Sequence, residues 1–108
     1  MEAKTKDLWV FVETNGDGSA KNVGIELLTP GRMMADKQGG ALVAIVIGDH
    51  VSAAVEAAST HGADQVIVVE GAEYGHYSTD AYAIALCALV EKYGPTSMLI
   101  GATNNGRD

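Results

Sequence analysis

Four short apolar runs, separated by stretches whose apolar positions recur every three or four residues, set the organisation of this chain. Residues 8–12, 41–47, 65–69 and 97–100 are dominated by Val, Ile, Leu and aromatic side chains with no polar alternation. That is the signature of strands buried on both faces of a parallel sheet. The last three runs stop at a glycine or at Glu70-Gly71, where the chain has to turn.

Between the strands the period changes. Val51, Ala54, Val55 and Ala58 fall at i, i+3, i+4 and i+7, and Ala81, Ile84, Ala85, Ala88 and Leu89 form a similar stripe, so both segments are expected to be amphipathic helices. Ser78 stands where an N-cap is expected, Asp80 in the first turn suits the helix dipole, and Gly94-Pro95 closes the helix after Lys92. Gly62 closes the preceding helix in the same way. The first crossover is less regular: Pro30 is expected to break a helix begun at Asn22, with Thr29 and Pro30 opening a fresh one.

Strands alternating with helices at this spacing imply right-handed βαβ units. The expected fold is α/β, a three-layer α/β/α sandwich around a mostly parallel, doubly wound sheet. Residues 1–108 read as one domain, with no internal repeat and no low-complexity linker.

Charge narrows the partners. Seven basic against 14 acidic residues leave a formal charge of −7, which repels phosphate backbones and anionic lipid, so nucleic acid is not an expected partner. No apolar run reaches membrane-spanning length and the first seven residues are charged instead of signal-like, so the chain is expected to be cytoplasmic with no membrane insertion. Cys87 lies in the apolar run 85–89, where a small buried core filler is expected.

Candidate chemistry is sparse. The segment Gly16-Asp17-Gly18-Ser19-Ala20-Lys21 begins like a dinucleotide-binding fingerprint but carries Lys21 at the third glycine position, and Asn15-Gly16-Asp17-Gly18 is turn chemistry. Asp49 lies well beyond the usual ~20-residue spacing for a ribose-binding acid and suits an N-cap of the following helix better. Asp17 lacks the acidic set of a calcium loop. His50, His61 and His76 have no metal-ligand spacing and default to surface positions. Glu70, Glu73, Tyr74, His76 and Tyr77 cluster before the last helix, either as a solvated loop with two packing tyrosines or as part of a pocket. No nucleophile elbow, phosphate-binding lysine loop or paired helical metal ligands occur, so independent catalysis is not expected.

The segment 101–108, Gly-Ala-Thr-Asn-Asn-Gly-Arg-Asp, leaves the fourth strand at its carboxyl end. Ligands of open doubly wound sheets bind where neighbouring strands send their connections to opposite faces, and the first and fourth strands are the natural pair. Thr14 and Asn15 are then expected to face Thr103 and Arg107. The alternative is a plain Asn-Asn-Gly turn and a frayed terminus.

The order and spacing of residues 8–13, 62–66, 74–82, 91–95 and 99–103, with Gly106-Arg107-Asp108, resemble electron transfer flavoprotein alpha subunits from Asp7 to Asp108. The resemblance implies a nucleotide-alpha-hydrolase-like (Rossmann-like) N-terminal domain that packs on a beta subunit. It also implies a domain here incomplete at its C-terminus, truncated before its final helix and strand, with the FAD-binding C-terminal domain absent. Met33, Met34 and Gln38 depart from the family pattern, where relatives often carry charged residues and leucine.

By the same resemblance the parent complex is an electron carrier, not an enzyme. It takes electrons from acyl-CoA or other dehydrogenases and passes them to an acceptor through FAD that this chain alone is not expected to hold. The form of residues 101–108 is similar to that of members that bifurcate electron pairs from NADH. In those members a second flavin sits in the beta subunit, and Thr103, Asn104, Asn105 and Arg107 become candidates to line that cofactor or the subunit seam. The competing functions are a small adenine-nucleotide-binding module of the stress-protein type, and an oligomerisation module that pairs an open sheet edge with a copy of itself.

Overall fold

The computed structural model describes residues 5–15, 18–71 and 79–100. They form four strands and three helices in the order β1 (Leu8–Phe11), α1 (Asn22–Gln38), β2 (Leu42–Gly48), α2 (Ser52–Thr60), β3 (Gln65–Glu70), α3 (Thr79–Tyr93) and β4 (Ser97–Ile100). All pairings are parallel and the strand order is β3-β2-β1-β4. The doubly wound α/β sheet expected from the sequence is what the chain builds.

Burial follows position in the sheet. Every residue of the two central strands, β1 and β2, is buried, whereas the residues of β3 and β4 at the edges are half-buried or exposed. A continuous apolar run therefore marks a strand covered on both faces only when it is also flanked by strands on both sides.

Two apolar layers sandwich the sheet. On one face Leu8, Val10, Val12, Leu42, Ala44 and Val46 meet Leu28 and Ala35 of α1 and Ala54 and Ala58 of α2. On the other, Trp9, Phe11, Val43, Ile45 and Ile47 meet Tyr82, Ala85, Leu86, Leu89 and Val90 of α3. Trp9 lies beside Tyr93 with ring centroids 6.1 Å apart, and Phe11 meets Tyr82 edge-on at 6.4 Å, both within the favourable range for aromatic pairs.

Three sequence expectations are corrected. First, α1 runs unbroken through Pro30. Thr29 and Pro30 are exposed, so the carbonyl of Glu26, which loses its usual donor at position 30, lies on the wet side of the helix where water can satisfy it. Second, the inward stripe of α3 is Tyr82, Ala85, Leu86, Leu89 and Val90, while Ile84 is 71 % exposed and Ala88 also faces outward. Third, Cys87 is exposed on that outward face and fills no core space. The composition of α3 is apolar nearly all round, so the sequence alone did not fix which side faces the sheet.

Two glycines let α1 lie close to the sheet. A Cβ at Gly24 would sit 3.0 Å from the Cα of Val12, and one at Gly31 would sit 3.0 Å from side-chain atoms of both Val10 and Leu42. The i, i+7 spacing puts both on the same helix face.

The amino ends of the strands are tied by hydrogen bonds. The Leu42 N–H donates to Asp64 Oδ2 at 2.9 Å, the Ala41 N–H to Asp7 Oδ1 at 2.9 Å, and the Thr96 N–H to the Asp7 carbonyl at 3.0 Å. No described helix is long and apolar enough to cross a membrane.

Candidate functional site

The chain places its switch point between β1 and β4. The steps β1 to β2 and β2 to β3 carry α1 and α2 over one face, and the step β3 to β4 returns past β1 with α3 on the other. Phe11 pairs with Ile100 in the parallel register, so the connections leaving β1 and β4 start side by side at the carboxyl edge. This is where open α/β sheets build their crevices.

On the β1 side the loop is folded on itself. Thr14 and Ala20 form an antiparallel bridge, the Asn15 N–H donates to the Ser19 carbonyl at 2.8 Å, the Gly18 N–H donates to the Asn15 carbonyl at 2.9 Å, and Asn15 Nδ2 donates to Ser19 Oγ at 3.0 Å. Gly18 has φ 89°, and a Cβ there would collide with the His50 carbonyl, so only glycine lets this turn pack against the end of β2. The amides of Asn15 and Gly18 are turned inward to the loop and not outward to an anion, which agrees with the turn reading. Gly16 and Asp17 lie outside the described residues.

At the base of the turn, Lys21 Nζ lies 2.8 Å from Glu13 Oε2, and the Glu13 residue is only 8 % exposed. The Lys21 N–H also donates to the Glu13 carbonyl at 2.8 Å. The ion pair locks the turn onto the end of β1 and gives the lysine a structural partner, so the role of a phosphate-binding lysine is not the one its geometry supports.

The start of α2 is closed in a comparable way. Asp49 does not cap it: its Oδ2 lies 3.8 Å from His50 Nε2, and α2 begins three residues later, after Val51. The acceptor for the Val51 N–H is instead Glu70 Oε2, at 3.1 Å, reaching across from the end of β3. The positive end of the helix dipole is thereby met by a carboxylate of the chain itself.

Of the residues singled out in the sequence, Thr14 and Asn15 are placed at the carboxyl edge. Thr103, Asn104, Asn105 and Arg107 lie outside the described residues, as do Ser78, Glu73, Tyr74, His76 and Tyr77. Glu70 is described, and it serves α2. The Glu13–Lys21 pair was missed in the sequence, although opposite charges on either side of a glycine-rich turn were the available signal. The Glu70 contact had no such signal, because it joins segments 19 residues apart.

The crevice position and the all-parallel sheet are compatible with a domain of an electron carrier and with a small-molecule binder alike. Residues 8–108 match the family model described as "Electron transfer flavoprotein domain". This chain belongs to the electron transfer flavoprotein family.

It is 44 % identical over 103 residues to the acryloyl-CoA reductase electron transfer subunit beta of Anaerotignum propionicum, covering 95 % of this chain and 28 % of the relative. It is 41 % identical over 106 residues to Protein FixB of Clostridium saccharobutylicum, covering 98 % and 31 % respectively. It is 39 % identical over 107 residues to the electron transfer flavoprotein subunit alpha of Clostridium acetobutylicum, covering 99 % and 32 %. The chain thus spans about a third of the length of the relatives it matches.

Proposed function

We propose that this chain is the N-terminal domain of an electron transfer flavoprotein alpha subunit, incomplete at its C-terminal side, and that it packs on a beta subunit to form an FAD-containing carrier between dehydrogenases and an acceptor. One observation carries the reading: the family match runs over residues 8–108, with relatives about 40 % identical along nearly the whole chain. Two of these relatives are named as electron transfer subunits, one of them of an acryloyl-CoA reductase.

The described residues do not form a flavin cradle. The β1 side of the crevice holds a self-bonded turn and a closed ion pair, and the α2 N-terminus holds Glu70. In this reading FAD is held by the parts of the parent complex beyond this chain, and the described residues carry no electron-transfer step. The role proposed for the domain is to build the subunit interface and shield the flavin from solvent.

Thr103, Asn104, Asn105 and Arg107 follow β4 at the switch point in sequence, and the proposal places them at the subunit seam or against a beta-subunit flavin. A cation beside a flavin favours its anionic form. Arg107→Ala in the intact complex is then expected to change the occupancy or potential of that flavin; unchanged flavin content and potential remove these residues from the proposal.

The whole reading is tested by co-expressing the chain with a beta subunit and recording flavin absorbance through size exclusion. Co-elution with flavin that the beta subunit alone retains less well is the expected result. A chain that elutes alone, colourless and binding adenine nucleotide would replace this reading with the nucleotide-binding module.

A further inference from the structure

We infer that the open edge of β3, together with the groove between that strand and α2, docks an extended segment of another protein whose aliphatic side chains are flanked by lysine or arginine, added to the sheet as a further strand. This goes beyond the electron-carrier reading and does not depend on it.

β3 ends the strand order, so among the described residues it pairs with β2 alone and its outer backbone edge is open. Proteins commonly blunt such an edge with lysine, proline or a bulge. β3 reads Gln-Val-Ile-Val-Val-Glu, and its register against β2 runs without interruption from Gln65 to Glu70. Val66 packs in the layer with α1 and α2, and Ile67 and Val69 pack in the layer with α3, which leaves Val68 43 % exposed. Beside Val68 lies a groove of about 330 Å³, lined by Val51, Val55 and Val68 with Ser52, Glu56 and Glu70. An apolar strip next to unpaired backbone is what a partner strand recognises.

Charge selects the occupant. Residues 38–91 contain no Lys or Arg and seven of the 14 acidic residues, while the other seven acids are matched by all seven basic residues. The whole formal charge of −7 therefore belongs to the stretch that builds β2, α2, β3 and most of α3. Arg32 pairs with Asp64 where β3 begins, but Glu56 and Glu70 have no Lys or Arg partner among the described residues. A second copy seated edge to edge would set like charges against each other, which disfavours it. A strand with an aliphatic side chain over Val68 and cations on either side meets the backbone edge, the groove and the carboxylates together.

The probe is a capped synthetic peptide of about nine residues that alternates lysine and valine, the length of a long strand. Lysine–serine and glutamate–valine peptides of the same length are the controls. Binding of the lysine–valine peptide is expected to slow amide hydrogen exchange along β3 and not along β4, and to weaken in about 1 M salt. Glu56→Lys, on the exposed side of α2, is expected to weaken binding about tenfold without changing the fold seen by circular dichroism. Val68→Lys is expected to abolish the β3 protection.

No binding of the lysine–valine peptide overturns the inference. So does equal binding of the lysine–serine peptide, which reduces the surface to unspecific charge attraction, and so does protection that falls outside β3. Protection of β3 that grows with chain concentration in the absence of peptide assigns the edge to a second copy and also overturns it. Co-elution of flavin with a beta subunit is read separately, so either proposal can fail while the other stands.

Discussion

Arg32 on α1 donates through Nη1 to Asp64 Oδ2 at 2.8 Å, joining the helix to the turn that opens β3, while the same carboxylate oxygen accepts the Leu42 N–H of β2. Arg32 also donates through Nε and Nη2 to Asp36 one turn along α1, at 3.1 and 2.7 Å. One carboxylate thus links both central and edge strands to the helix above them. The Leu42 N–H first, and then the Arg32 guanidinium, hold the Asp64 carboxyl below its ordinary value.

The pH dependence follows from that depression. Because the folded-state value lies below the unfolded value of 3.8, the contribution of Asp64 is fully present above pH 3.8 and is lost as pH falls through the lower folded value. Asp64→Ala is expected to flatten the acid limb of a melting-temperature profile. At neutral pH it should cost no more than about 1 kcal/mol, since the group is largely exposed and screened. An unaltered acid limb would remove Asp64 from this role.

Gly24→Ala and Gly31→Ala are expected to differ despite the same chemistry. At Gly24 the new methyl meets the Val12 backbone, which cannot shift without moving β1, so a loss of about 1–3 kcal/mol is expected. At Gly31 it meets the terminal Cδ1 of Leu42, which can shift, and Cγ2 of the stiffer Val10, and the gain of ~1 kcal/mol in helix propensity offsets part of the crowding. Urea unfolding of the two variants tests the order.

Pro30→Ala is expected to stabilise the domain. In an unbroken α1 it restores the bond from the residue 30 N–H to the Glu26 carbonyl and removes ring crowding. Those terms amount to up to ~3 kcal/mol, from which the larger unfolded-state entropy of alanine subtracts up to ~1 kcal/mol. A helix restarted at Pro30 would gain nothing, so the urea midpoint separates the two geometries.

Lys21→Met leaves the Glu13 carboxylate without its ammonium partner in a largely buried setting. A loss of about 2 kcal/mol is expected, below the 3–5 kcal/mol typical of fully buried pairs because both side chains keep some exposure. Faster amide exchange at Asn15 and Gly18 should accompany it, as the turn is released from β1. Exchange rates that match those of the unaltered chain would show that the turn holds itself.

The sequence by itself determined the elements and their class. Continuous apolar runs at 8–12, 41–47, 65–69 and 97–100 marked the strands, though only the first two are covered on both faces. The glycines at 62 and 94 ended their helices because φ of 107° and 60° is open to glycine at little cost. The sheet's switch point followed from the alternation of strands and helices, because crossover handedness leaves few other arrangements. Family membership was legible for the same reason, since it rests on the order and spacing of these segments.

Tertiary structure decided the rest. It turned Cys87 and Ile84 outward, because a helix that is apolar nearly all round has no sequence-coded inner face and takes the orientation that fits Trp9, Phe11 and Ile45. It carried α1 through Pro30, because packing of Leu28, Gly31 and Ala35 on the sheet outweighs one lost hydrogen bond on the wet side. It joined Glu70 to Val51 and Arg32 to Asp64, contacts between segments whose distance in space no local pattern records. Local periodicity fixes what a segment is; only the packed sheet fixes which side of it meets the core and which distant charge it meets.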